Sequence, residues 1–185
     1  MARQQPARIG LIGGESTGKS TLAADLTDAL DACIVHEELR DFVARHGRTP
    51  RRDEQAGILQ AQTAREEAVA AACRRPVLVA DPAPVMTAVY SLLYFDDSGL
   101  MKPAVEHCRR YGLLVWCAAD LPWTPDSGQR DGPSLRAAAD DIISRLVQGE
   151  FEPRGIRVLR VSGDRAARVT AVRRAWQPSP PQGPT

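Results

Sequence analysis

Short apolar runs alternate along the chain with longer stretches whose apolar positions recur every three to four residues. Residues 8–13, 32–36, 76–81, 112–117 and 156–161 are runs rich in branched and aliphatic side chains, the character of strands buried on both faces of a parallel sheet. Between them, residues 21–30, 38–46, 85–94, 101–110 and 165–176 carry helical spacing, and Gly47 stops the second of these helices. The stretch 53–73 is rich in Ala, Glu, Gln and Leu, which predicts one long helix. A polar segment with Gly and Pro at 120–133 precedes a further helix reaching to about residue 148. Strands alternating with helices predict a five-stranded parallel sheet covered by helices on both faces. The pattern leaves the strand order open.

Composition narrows this picture. The chain has 185 residues, of which 43% are apolar and 25% charged, which suits a single globular domain. We expect that domain to occupy residues 1–176, followed by a disordered tail at 177–185 with four prolines. The net charge of +1 gives no bulk attraction to nucleic acid or to an anionic membrane. The pairs Arg51-Arg52 and Arg74-Arg75 are scattered and balanced by acids. No apolar run approaches the ~20 residues that span a bilayer. The polar residues 1–8 lead straight into a strand, unlike a signal peptide, so a cytoplasmic location is expected. Cys33, Cys73, Cys108 and Cys117 form no CxxC pair and have no ligand spacing to His36, His46 or His107. They are therefore expected to be reduced, mostly buried thiols.

Between the first strand and the first helix stands Gly13-Gly-Glu-Ser-Thr-Gly-Lys-Ser20, a match to the phosphate-binding pattern G-x-x-x-x-G-K-[ST] in the setting that pattern requires. Only Lys19 and Lys102 are lysine among 24 basic residues. A compact ammonium at this position is therefore informative, because arginine cannot replace it. The expectation is a three-layer P-loop NTPase fold that binds ATP and Mg²⁺. Gly13, Gly14, Glu15, Ser16, Thr17, Gly18, Lys19, Ser20 and Thr21 would form the nucleotide loop. Backbone N–H groups and the helix N-terminus meet the phosphates. Lys19, exposed before the nucleotide arrives, would reach the β- and γ-phosphates, and the Ser20 hydroxyl would ligate Mg²⁺. Glu15 is an acid inside an anion-binding loop and is expected to point outward. Asp81, closing the third strand, is expected to hold the metal's water shell; a helix N-cap is its alternative role.

In an open α/β sheet the site lies beyond the carboxyl ends of the strands. Glu37 and Arg40 follow the second strand and share that end with Asp81. Glu37 is a candidate base or hydroxyl ligand and Arg40 a candidate clamp on substrate or phosphate; a solvated helix turn and a local ion pair are the alternatives. Within 120–136, Trp123, Arg130 and Arg136 form a short lid. Arg130 and Arg136 are its candidate cations, and Trp123 either stacks on a flat substrate ring or anchors the lid. The turn Ser162-Gly-Asp-Arg165 would either frame the adenine or cap the last helix.

The loop, with Thr21 added, resembles that of AAA-type P-loop proteins related to the nicotinamide riboside kinase domain of the bacterial NAD-biosynthesis regulator. The resemblance continues in Glu37-Glu-Leu-Arg-Asp-Phe-Val43, Gln62, Glu66, Asp81, Thr87-Ala-Val-Tyr-Ser91 and Leu121-Pro-Trp-Thr-Pro-Asp-Ser-Gly-Gln-Arg130. It departs where Glu38 and Leu39 replace a Tyr and a small residue, where Asp81-Pro-Ala83 replaces Asp-Thr-Asp, and where Gln129 is an extra residue. The resemblance implies a kinase that transfers phosphate from MgATP to a nucleoside or riboside hydroxyl. The alternative is an ATP-binding or ATPase switch acting on a protein partner.

Overall fold

The computed structural model describes residues 5–123 and 132–176. Its five parallel strands are β1 (Ala7–Ile12), β2 (Ala32–His36), β3 (Val77–Asp81), β4 (Leu113–Cys117) and β5 (Val158–Val161), in the order β2-β3-β1-β4-β5. The helices are α1 (Lys19–Ala29), α2 (Glu38–His46), α3 (Gln55–Ala72), α4 (Val85–Phe95), α5 (Met101–Cys108), α6 (Pro133–Leu146) and α7 (Arg165–Ala175). A 3₁₀ turn at Arg52–Glu54 leads into α3. A wide turn at Val147–Phe151 and a 3₁₀ turn at Glu152–Arg154 follow α6. Chain order and spatial order part at β1, which lies between β3 and β4, so the loop after β1 sits at the middle of the sheet.

The strand period of two sorts the core into two halves. Ile9, Leu11, Val77, Val79, Leu113 and Val115 face Leu22, Ala23 and Leu26 of α1 and Val172 of α7. Their alternating neighbours Ile12, Leu78, Ala80, Leu114 and Trp116 face α3, α4, α5 and α6. Gly10 faces this second side. A Cβ there would lie 2.8 Å from Leu114 and 2.9 Å from Ala83, so the central strand must be smooth at that point.

One expectation is corrected here. Cys33 on β2 and Cys73 at the end of α3 form a disulfide, with Cα atoms 6.1 Å apart; they are not reduced thiols. The cause is topological: α3 ends just before β3, and β3 is the hydrogen-bonded neighbour of β2. Cys108 and Cys117 are buried free thiols, as expected; burial pushes Cys117 up to about 11 and raises Cys108 further. Among the described residues no helix is long and apolar enough to cross a membrane. The tail 177–185 and the lid segment 124–131, which includes Arg130, lie outside the described residues.

Candidate nucleotide and acceptor site

The loop after β1 is built by its glycines and its own side chains. Gly13 has φ 146°, and a Cβ there would lie 2.8 Å from both the Cys117 carbonyl and the Thr17 hydroxyl. Ser16 (φ 54°) and Gly18 (φ 80°) turn the backbone through the left-handed region. Thr17 Oγ1 donates to the Gly14 carbonyl at 2.8 Å. Gly18 caps α1 without a side-chain bond, so the first N–H groups of the helix remain open to an anion.

Around this loop lies a cavity of about 380 Å³, walled by residues 15–21, Glu37, Arg40, Asp81, Tyr90 and Leu121, among others. Lys19 is half-buried, and its ammonium donates to the Gly13 and Gly14 carbonyls at 2.9 and 2.6 Å. The expectation of an exposed lysine is corrected, since an ammonium with three donors folds back on the nearest carbonyls. Glu15 is nearly buried and lines the cavity, against the expectation that it points outward. Lys19 and Arg40 share its wall and partly offset the carboxylates there. Ser20 lines the cavity, and Asp81 lies buried at the end of β3 on the same wall. Two oxygen donors beside a phosphate loop fit Mg²⁺, which takes few protein ligands and keeps waters and phosphate oxygens.

Glu37, at the end of β2, accepts a 3.1 Å hydrogen bond from Arg40. Burial raises its pKa, and Lys19 and Arg40 only partly offset that. Glu37, Pro82, Met86 and Tyr90 also line a second, larger cavity of about 870 Å³ that extends between α2, α3 and α4. Glu37 therefore stands at the junction of the two.

Other expected residues fall elsewhere. Arg136 packs against Gly14 and donates to the carbonyls of Ser16 (3.4 Å) and Leu121 (2.8 Å); it braces the loop and lines neither cavity. Trp123 lines neither cavity as well, and its Nε1 is buried without an acceptor among the described residues. Asp164 caps α7 through the Ala167 N–H at 2.8 Å, so that turn follows its capping alternative. Gln62 and Glu66, four residues apart on α3, part company. Gln62 holds backbone at the site end, and Glu66 is bonded to Arg8 and Tyr111 at the opposite end of the sheet.

Sequence reasoning missed Arg168. On a surface-like arginine-rich helix, it is only 3% exposed. It donates to the carbonyls of Thr17 (2.6 Å), Gly163 (2.9 Å) and Ala118 (3.4 Å) and pairs with Asp120. One guanidinium thus ties the loop to the ends of β4 and β5. Its helix shows no amphipathic signal that would have marked it. Gln55, Met86 and Tyr90 were also missed as wall residues.

Comparison with known proteins agrees with this geometry. A family model described as an AAA domain matches residues 8–168. No curated protein matches the sequence. The NadR protein in complex with NAD and AMP-PNP superposes with a TM-score of 0.71 at 17% identity, over 96% of this chain and 52% of that one. The chain thus spans about half of NadR. Thymidylate kinase from Candida albicans gives a TM-score of 0.64 at 12% identity, over 92% and 91% of the two chains. Deoxyadenosine kinase from M. mycoides with bound dATP gives 0.61 at 9%, over 91% and 98%. At these identities the likeness concerns the fold, a parallel sheet with a P-loop at its centre that nucleoside and nucleotide kinases share. With the family match spanning most of its length and the loop intact, the chain is a member of the AAA-domain P-loop family.

Proposed function

We propose that the protein is an MgATP-dependent kinase that phosphorylates a hydroxyl group of a small nucleoside-like substrate. One observation carries this reading: a second cavity large enough for such a substrate adjoins the phosphate cavity and shares with it Pro82, Met86, Tyr90 and the half-buried carboxylate of Glu37. A simple ATP switch has no need of a second small-molecule pocket beside the γ-phosphate position. NadR in complex with NAD and AMP-PNP and deoxyadenosine kinase with bound dATP share this fold.

In this reading the loop N–H groups and Lys19 cradle the triphosphate. The Ser20 hydroxyl and the Asp81 carboxylate would hold Mg²⁺, which supplies charge neutralisation at the phosphates when bound. Glu37 accepts the proton of the acceptor hydroxyl as its oxygen forms a bond to the γ-phosphorus. The bond from that phosphorus to the bridging oxygen breaks, and ADP leaves. Arg40 orients Glu37. Arg130 would add positive charge from the lid, and the whole of residues 1–176 would act as one domain in the cytoplasm, where ATP is abundant.

The switch remains the second reading, favoured by Asp81-Pro82-Ala83. Ala83 is fully buried and brings no carboxylate where the resembling family has its second Asp. A thermal-shift screen of nucleosides and vitamin ribosides over the Mg-AMP-PNP complex separates the two. The kinase reading expects a second ligand to raise the melting temperature further, and a panel with no such ligand would favour the switch.

A further inference from the structure

The geometry points to Gln55 as the residue that selects the acceptor, and to a planar ring with a hydrogen-bond donor beside an acceptor on one edge as the group selected. This rests on reading the second cavity as the acceptor's place. One wall of that cavity carries Tyr90 and Tyr94, whose rings stack with centroids 5.9 Å apart and planes 17° apart. An aromatic wall favours a flat guest, by stacking or edge contact.

The polar groups around that guest are unequal. Gln62 is spent on the protein: its Oε1 accepts the Glu38 N–H at 2.6 Å, and its Nε2 donates to the His36 carbonyl at 3.4 Å. Gln55 is not. It is 6% exposed, and its one protein bond is a long 3.5 Å donation from Nε2 to the Pro50 carbonyl. Among the described residues its Oε1 receives no donor, although it lines the cavity. A buried amide holding an acceptor and a spare N–H side by side suits a ring edge with the complementary pair.

Arg48 adds donors at one end. Glu54 grips it at 2.7 and 2.8 Å, it donates to the Thr49 carbonyl at 3.0 Å, and it lies over the Phe42 ring at 5.5 Å. These bonds leave its Nε–H and one Nη2 N–H unspent. Arg48 lines the cavity and Glu54 does not, so this end presents N–H donors from a nearly neutral ion pair. Further acceptor atoms of a nucleobase fit there.

The test is calorimetry on the full chain saturated with Mg-AMP-PNP, titrated with adenosine, inosine, uridine and purine riboside. At least one of the first three should bind tenfold or more tightly than purine riboside, whose ring lacks the donor. Gln55→Met should erase that advantage, and Gln55→Glu, which keeps the acceptor and loses the donor, should reduce it. AMP-PNP affinity should be unchanged in both variants, which also shows that they fold. Purine riboside binding as tightly as all three, or a Gln55→Met protein that keeps the wild-type preference, would overturn the inference. Preferential binding without phosphoryl transfer would leave this inference standing and remove the kinase reading. If no riboside binds, both fall.

Discussion

In the proposed reaction the chemistry depends most directly on Lys19 and Glu37. Lys19 spends its ammonium on two loop carbonyls, and phosphate binding exchanges those for charged contacts of about 1.5–3 kcal/mol each. Lys19→Ala should therefore weaken MgATP binding by about a hundredfold in calorimetry, while melting changes little because no core contact is lost; retained wild-type affinity would contradict the loop assignment. Glu37 has its pKa raised by burial, and only its ionised form accepts a proton. Turnover should rise with pH through a limb displaced above the ordinary carboxylate value of 4.5. Glu37→Gln should lose that limb and most of the rate. An unaltered pH profile in the variant would remove Glu37 as the base. At this scale the sequence located residues of the cavity wall wherever a motif or a strand end marks them, as for Lys19, Ser20, Glu37 and Asp81. Gln55 and Arg168 were not legible. Each gains its meaning from partners more than ten residues away or from a cavity, and side-chain type carries neither.

Elements position these residues. Asp81 sits on the same wall as Ser20 because β3 ends beside β1, the strand that feeds the loop. Asp81→Asn should weaken ATP binding in the presence of Mg²⁺ and leave metal-free binding nearly unchanged, since the carboxylate acts through the cation. Equal losses with and without the metal would reassign it to a structural cap. The Cys33–Cys73 disulfide closes a loop 40 residues apart in sequence around α2 and α3. By chain entropy it contributes about 4 kcal/mol. Reductant, or Cys33→Ser, should lower the urea midpoint accordingly, and an unchanged midpoint would show that the cross-link adds nothing. Apolar period and run length announced nearly every element to within a few residues. They could not announce the pairing of Cys33 with Cys73, which depends on β2 being the neighbour of β3. That order lies in packing, not in any strand's own pattern.

Across the whole molecule, the end of the sheet opposite the site is held by a buried charge cluster. Arg8, 4% exposed, binds Glu66 at 2.8 Å and Glu67 at 2.7 Å. Burial pushes the Glu66 carboxyl up, yet His107, Tyr111 and Arg8 outweigh it, and the net shift is downward from 4.5. A carboxylate lowered by folding stabilises the protein above its unfolded pKa, and that contribution is lost as pH falls through the folded value. Denaturant stability should therefore drop as pH falls below about 4.5. Glu66→Gln should cost about 1–3 kcal/mol at neutral pH by weakening the Arg8 and Tyr111 hydrogen bonds while Glu67 still pairs Arg8, with a shallower acid slope. A variant that matches wild type at pH 7 would show the cluster to be dispensable.

The central claim is that both cavities are occupied in one reaction, with phosphate crossing the Glu37 junction from ATP to a nucleoside hydroxyl. Incubation of the protein with Mg²⁺, ATP labelled at the γ-phosphate and a nucleoside panel tests it most directly, with products separated by chromatography. The account predicts label on at least one nucleoside in equimolar amount with ADP, abolished in Lys19→Ala and strongly reduced in Glu37→Gln. Label recovered only as ATP or inorganic phosphate, with every nucleoside unmodified, would contradict it.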